Sequence, residues 1–249
     1  MYRNEREEQI INILRGTGFV TVKKLGEILY SSESSIRRDL TRLENKGVVH
    51  RSYGGAKLVM ADTNVTPFNT RAFNNIDAKK EIARKAASII NDGSIIFLDQ
   101  SSTSFFLAKE ICERNSLTVI TNNIEILNLL SQYDMSVHSS GGVLSKVNRN
   151  CLIGKNAQTT FENIYADFCF FSAKSLSSDG VVSDCTEEEV FVRKSMLQNA
   201  QRRVFLCNYS KIGTHSNFKQ CSLNDVDYLI CEKQIDSKIV NINKNLKTI

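Results

Sequence analysis

Residues 34–49 read SSIRRDLTRLENKGVV, and the fold of the N-terminal part turns on this stretch. At about 100° per residue, Ile36, Leu40 and Leu43 share one stripe, which a helix buries against a core. Ser34, Arg38, Thr41 and Asn45 fall on the opposite face, with Arg37 on its flank. Ser31 or Ser32 can cap the start, and Gly47 stops the end. Val48-Val49 then leads into RSYGGAK, residues 51–57, a short basic hairpin. A capped helix with arginines and hydroxyls outward, followed by a basic hairpin, is how a winged helix-turn-helix meets double-stranded DNA.

Arginine-bearing amphipathic helices are also common as plain solvated faces. The residues ahead of this one favour the DNA reading. Residues 4–15 carry Ile10, Ile11, Ile13 and Leu14 and are expected to break at Gly16 and Gly18. Residues 21–29 set Val22, Leu25, Ile28 and Leu29 on one side, behind a Thr21 cap. Three short helices and a hairpin form a unit of about 57 residues, near the lower size limit for a self-supporting core. Charge agrees. Residues 1–57 hold eleven Lys or Arg against seven Asp or Glu, a net of +4 out of +5 for all 249 residues. Each cation set against a phosphate releases a counterion, so salt should weaken such binding steeply. An acidic protein partner would suit the charge but not the helix geometry.

The run SSESSIRRDLTRLENKGVVHRSYGGAK, residues 31–57, resembles the N-terminal signature of the DeoR family of bacterial transcriptional regulators. The resemblance implies that the helix holding IRRDL is the recognition helix and that GGA closes the wing. It implies a DNA-facing set of Ser34, Ser35, Arg37 and Arg38, with Arg51 and Tyr53 on the wing; Ser35 stands where the family often has Thr. Thr41 shares the exposed face, and Lys57 can reach a phosphate beside the wing. Arg37 or Arg38 can grip a guanine edge, worth about 1–3 kcal/mol of discrimination. The other would clamp a phosphate and set register. Asp39 is expected to pair with Arg42 or Arg38, worth under about 1 kcal/mol if exposed.

Residues 58–76, LVMADTNVTPFNTRAFNNI, show neither helical nor strand periodicity and hold Pro67, the chain's only proline. The expected division is therefore a winged helix-turn-helix domain at 1–57, a linker at 58–76 and a second domain at 77–249. In that second part strand-like runs (95–98, 118–121, 135–138, 167–173, 204–207, 227–231) alternate with helical ones (77–91, 103–113, 124–130, 187–201). Such alternation implies an α/β domain with a mostly parallel sheet, whose polar loops gather beyond the strands' carboxyl ends. DQSSTS, residues 99–104, sits between a strand and a helix start, where Ser101, Ser102 and Thr103 either cap the helix or bind an anion. Asn122-Asn123 has the same two readings, and Gly141-Gly142 can be a plain turn. Lys174 and Lys211, each following an inner strand, are either solvated or face that same edge.

Here too the chain resembles the DeoR family. DQSST, TVITNN, SGGVL, ADFCFFSAKSLSSDGVV, EEEVFVRKSM and SKIG occur in the order of its C-terminal effector domain. The resemblance implies a ribose-5-phosphate-isomerase-like fold that binds phosphorylated sugars or related metabolites. The matching positions are Asp99, Ser101, Ser102, Thr103, Thr121, Asn122, Gly141, Gly142, Lys174, Asp179, Glu189 and Lys211. Two positions depart from the family. Gln100 and Ser101 occupy the loop where a Gly is common, and Asn208 stands where an Asp precedes the Ser-Lys pair. A lost carboxylate at 208 implies an altered hydroxyl contact or a different ligand.

The expectation is a repressor of a sugar-metabolism operon, released by a phosphorylated sugar and acting on its operator as a dimer or tetramer. Asp179, Glu189 and Lys174 would also suit proton transfer beside a carbonyl, so an isomerase-like enzyme with an attached DNA-binding domain is one alternative. A ligand-independent DNA-binding protein is another. The seven cysteines lack metal-ligand spacing and the three histidines, His50, His138 and His215, form no cluster, so no metal or cofactor is expected. Cys169, Cys207 and Cys231 read as buried apolar groups. Without a signal peptide or long apolar run, the expected place is the cytoplasm, with no membrane partner.

Overall fold

The computed structural model describes residues 3–17, 19–45, 48–52, 54–58 and 65–249. The chain divides into two compact units, Met1–Thr63 and Asn64–Ile249.

The first unit packs α1 (Arg3–Thr17), α2 (Val22–Ile28) and α3 (Glu33–Asn45) against a three-stranded sheet. Its strands are β1 (Phe19–Thr21), β2 (Val49–Ser52) and β3 (Gly55–Leu58), in the order β1-β3-β2 and all antiparallel. The expected stripe of α3 is inside: Ile36, Leu40 and Leu43 join Ile10, Leu14, Val22 and Leu25 in one core. Thr21 caps α2 by accepting from Lys24 N (3.2 Å). Ser32 caps α3: its carbonyl accepts from Ile36 N (3.1 Å) and its hydroxyl from Ser35 N (3.4 Å). One expectation fails at Gly16, where α1 runs on to Thr17. A glycine inside a helix costs only about 1 kcal/mol, which tertiary packing of the helix outweighs. Gly47 and Gly18, also read as stops, lie outside the described residues.

The second unit is built on seven parallel strands in the order β15-β14-β12-β9-β4-β5-β6. They are β4 (Ile95–Leu98), β5 (Thr118–Thr121), β6 (Ser136–Ser139), β9 (Ala166–Phe171), β12 (Ala200–Leu206), β14 (Tyr228–Ile230) and β15 (Lys247–Thr248). Successive residues alternate between the sheet's faces, and two cores follow from that period. Ile96, Leu98, Phe168, Phe170, Val204 and Leu206 pack against α5 (Ile76–Ala87), α6 (Ser102–Ile111) and α7 (Ile124–Leu130). Phe97, Cys169, Phe171, Phe205 and Cys207 face α8 (Lys155–Glu162) and α9 (Glu187–Gln198). Outside the main sheet lie the hairpin β7 (Val143–Leu144) with β8 (Leu152–Ile153), and an antiparallel trio β10 (Ser175–Leu176), β11 (Val181–Asp184) and β13 (Phe218–Ser222). The short helix α10 (Ser237–Val240) precedes β15. These small strands and α8 carry no continuous apolar run like those of β4 and β9.

The stretch expected as a linker needs correcting. Within 58–76, Phe68–Phe73 is a helix (α4), and α5 already begins at Ile76. Phe68 is buried and meets the Phe105 ring edge-on at 5.6 Å, so α4 is part of the second unit. A six-residue helix is too short to show a periodic stripe, and packing rather than local preference holds it.

Candidate functional site

In the first unit, α3 presents the expected residues outward. Ser34, Arg37, Arg38 and Thr41 are exposed, and Ser35 is half-buried. Arg37 pairs with Glu33 one turn earlier (3.2 Å), whereas Arg38 has no ion pair among the described residues. Arg51 is tied to the helix: its guanidinium donates to Thr41 Oγ1 (2.8 Å) and its backbone N–H to Glu44 (3.1 Å). The strand β2 thus docks on α3, and the Thr41 hydroxyl is engaged by Arg51 and by the Arg37 carbonyl (2.9 Å). Lys57 is exposed on β3; Tyr53 lies outside the described residues. Gly55 is where β3 crosses β1 closely. A Cβ there would stand 2.5 Å from both the Val20 carbonyl and the Phe19 ring.

Asp39 makes one of its two expected ion pairs, that with Arg42. It is fully buried, and its partners are Arg6 on α1 (2.5 Å) and Arg42, not Arg38. Arg42 also binds Glu7 (2.8 Å), so a charged network clips α1 to α3. The hydrogen bond to Asp39 raises the pKa of Arg6 despite some desolvation.

In the second unit the strand order reverses direction between β4 and β9, the place where α/β sheets open a crevice beyond their carboxyl ends. A cleft of about 350 Å³ lies there. After β4 come Ser101, Ser102 and Thr103; after β9, Ser172, Lys174 and Ser175; after β12, Asn208, Ser210 and Lys211. Ser101 caps α6 by accepting from Ser104 N (3.0 Å). The Ser102 and Thr103 amides precede the first bond of that helix, Phe105 N to Ser101 O (3.2 Å), and point the positive helix end outward. Lys211 Nζ donates to Ser172 Oγ (2.7 Å). Burial pushes its pKa down.

Residues not singled out from the sequence complete the cleft. Arg71 and Asn74 come from α4 and its end, and Lys79 from α5. Lys79 is buried, and its ammonium donates to the carbonyls of Arg71 and Asn74. Burial, with Lys211 and Arg71 adding like charge, lowers its pKa to about 8. Arg71 Nε and Nη2 are buried without a hydrogen-bond partner among the described residues. Arg193 of α9 is fully buried beside Asp99 (3.0 Å), Asp184 (3.1 Å) and Gln220 (2.9 Å). Desolvation opposes its charge, but Asp184, Asp99 and Glu189 outweigh that and raise its pKa.

The other expected residues divide by role. Asp99 lies beneath the cleft, where its carboxylate accepts from Ser101 N, Ser104 Oγ, Ser172 N and Arg193 Nε. It therefore ties the loops after β4 and β9 to α9. Glu189 lines the cleft with both oxygens engaged, by Gln100 (2.8 Å) and Asn148 (2.9 Å). Asn208 uses its Oδ1 to hold Ser210 N (3.1 Å) and Asn75 Nδ2 (3.4 Å), fixing the turn that carries Lys211. Thr121, Asn122, Gly141, Gly142 and Asp179 do not line this cleft. Thr121 donates to Leu98 O (2.6 Å), and Asn122 donates to Leu152 O (3.1 Å). Gly142, at φ +103, leaves room for the Ile153 carbonyl, and Asp179 is an exposed turn residue bonded to Ser177.

Among the described residues, no group of His, Cys, Asp or Glu is placed to hold a metal ion, and no helix is long and apolar enough to cross a membrane. Residues 6–61 match the DeoR-like helix-turn-helix domain and residues 74–233 the DeoR C terminal sensor domain. The chain is 33% identical over 240 residues to the HTH-type transcriptional regulator GolR of Listeria innocua, covering 96% of this chain and 94% of that one. It is 30% identical to the HTH-type transcriptional repressor GlcR of Bacillus subtilis, covering 94% and 90%. It is 27% identical to the Lactose phosphotransferase system repressor of Staphylococcus aureus, over 100% of each. Ribose 5-phosphate isomerase A from Methanocaldococcus jannaschii overlays 56% of this chain and 55% of its own at a TM-score of 0.43 and 19% identity. With both of its units matched, the chain belongs to the DeoR family of helix-turn-helix transcriptional regulators.

Proposed function

We propose that this regulator represses a sugar-metabolism operon and releases its operator when a phosphorylated sugar fills the cleft of the second unit. One observation carries the reading. Arg71, Lys79, Lys174 and Lys211 line one cleft beside the α6 N-terminus, and none is paired with a carboxylate among the described residues. Such a site calls for an anion of more than one charge, and phosphate suits both the cations and the helix end. Thr186, whose hydroxyl is buried without a partner, and Ser175 and Ser210 offer polar contacts for a polyol. With Asn rather than Asp at 208, the cleft carries one negative charge fewer, which favours the more highly charged ligands. Two related proteins carry the names of a transcriptional repressor and a lactose phosphotransferase system repressor, in keeping with a sugar signal.

A single recognition helix reads few base pairs, so the working form is a dimer or tetramer whose α3 helices meet half-sites about 34 Å apart, or a multiple of that. Full release needs about 5.5 kcal/mol of differential affinity. One phosphate at a helix end supplies only about 0.3–2 kcal/mol. Several state-dependent contacts, or several occupied subunits, must therefore act together. Catalysis is the weaker reading, because Glu189 is tied to Gln100 and Asn148 and Asp179 stands exposed outside the cleft.

A thermal-shift screen against phosphorylated pentoses, hexoses and polyols, followed by binding to DNA from the protein's own locus, tests the proposal. Arg38→Ala should weaken DNA binding by about 1–3 kcal/mol and leave the ligand-induced shift intact. Ser102→Ala with Lys211→Ala should blunt the ligand response and spare DNA binding by the free protein. Effects in the opposite sense would refute the division of labour. Recovery of an isomerised sugar phosphate would favour the enzyme.

A further inference from the structure

Arg71 is the least explained charge in the second unit. Two of its nitrogens are buried and unpartnered, and it lines the cleft from α4. A buried guanidinium with open donors is costly unless something fills them. The helix that carries it is weakly secured. It spans six residues, and Pro67 at its start contributes no side-chain cap. Phe68, wedged against Phe105, fastens one end. Lys79, bonded to the Arg71 and Asn74 carbonyls, fastens the other. Arg71 itself leans on the Phe68 ring, 5.6 Å from its centre. Six residues, 59–64, separate β3 of the DNA-reading unit from the segment 65–67 that enters α4.

Electrostatics supply the directionality. Arg71, Lys79 and Lys211 line the cleft with like charge, which adds to burial in lowering the Lys79 pKa. An anion among them offsets that like-charge repulsion, so α4 is held more firmly when the site is filled.

We propose that Arg71 reports ligand occupancy to the DNA-reading unit: its guanidinium takes an anionic group of the ligand and so fastens α4, the first element after the connector. This rests on the cleft being the effector site. It adds which residue converts binding into a change along the chain. Ligands that reach only the Lys174 side should bind without releasing DNA, so Arg71 also sets which anions act as signals.

Hydrogen exchange on the full chain, with and without inorganic phosphate at constant ionic strength, tests it. Phosphate should slow exchange of the amides at 68–75. In Arg71→Gln, phosphate affinity read by calorimetry should fall about tenfold, the loss of one charge-assisted contact. At concentrations that restore occupancy, exchange in α4 should no longer respond. Arg71→Lys should recover part of the affinity. Arg71→Gln should still bind DNA from its own locus and resist release. If phosphate binds the wild type but leaves α4 exchange unchanged, or binds Arg71→Gln unweakened, the inference is wrong and the cleft reading survives. If the wild type binds neither phosphate nor any phosphorylated sugar, the cleft reading itself fails, and this inference with it.

Discussion

Asp39 and Lys79 show how much a single charge changes meaning once its neighbours are known. Asp39, expected to pair with Arg42 or Arg38, is a buried acceptor for Arg6 and Arg42. Removing one partner of a buried pair costs about 3–5 kcal/mol. The two arginines keep partial contact with water, which places the loss near the lower figure. In a unit of 63 residues that is a large fraction of total stability. Asp39→Ala should therefore accelerate amide exchange throughout α1 and α3 while leaving the second unit unchanged. Lys79, with its pKa near 8, makes a pH prediction whose sign is fixed. A bound anion favours the ammonium, so its pKa is higher in the complex than in the free protein. Anion affinity should be flat below that pKa and fall as pH rises through about 8. Calorimetry with sulfate in buffers of differing ionisation enthalpy should register proton uptake near that pH. Lys79→Met should abolish the uptake.

At the scale of elements, glycine placement decides where backbones can cross. Gly55 lets β3 lie against β1, and an added Cβ would meet the Val20 carbonyl at 2.5 Å. Backbone cannot retreat as a flexible side chain can, so Gly55→Ala should destabilise the wing by about 1–3 kcal/mol. The expected signature is a lower melting temperature of the first unit and weaker DNA binding, with an unchanged ligand shift. Helix α3 illustrates the reverse. Its apolar stripe was plain from periodicity because the same stripe that a helix must bury recurs every three or four residues. Helix α4 had no such signature. A helix of fewer than two turns has no repeat to read, and Phe68 acquires its meaning only against Phe105.

At the scale of the whole molecule, the two units divide by charge and by period. The basic excess sits in the first 57 residues, and the strand-helix alternation begins beyond residue 76. The motifs ending in Ser101–Thr103, Lys174 and Lys211 are far apart in sequence. They meet because β4, β9 and β12 are neighbours whose carboxyl ends open on one edge. By contrast, Thr121 ends β5 and Asn122, Gly141 and Gly142 follow β5 and β6, farther along the sheet, where Thr121 bonds Leu98 O and Asn122 bonds Leu152 O. Alternation shows which residues follow strands, but not the order of strands across the sheet.

What the residues determined unaided were the local features: the capped helix α3, its buried stripe, the basic hairpin and the parallel α/β class. Each depends on interactions within about one turn or one strand, so each leaves a period or a cap in the sequence. Only the tertiary structure decided which charges are buried and who answers them. Asp39 between Arg6 and Arg42, Arg193 between Asp99 and Asp184, and Arg71 with no carboxylate partner among the described residues are set by chain segments remote in sequence. The energy of a charge depends on its surroundings far more than on its neighbours along the chain.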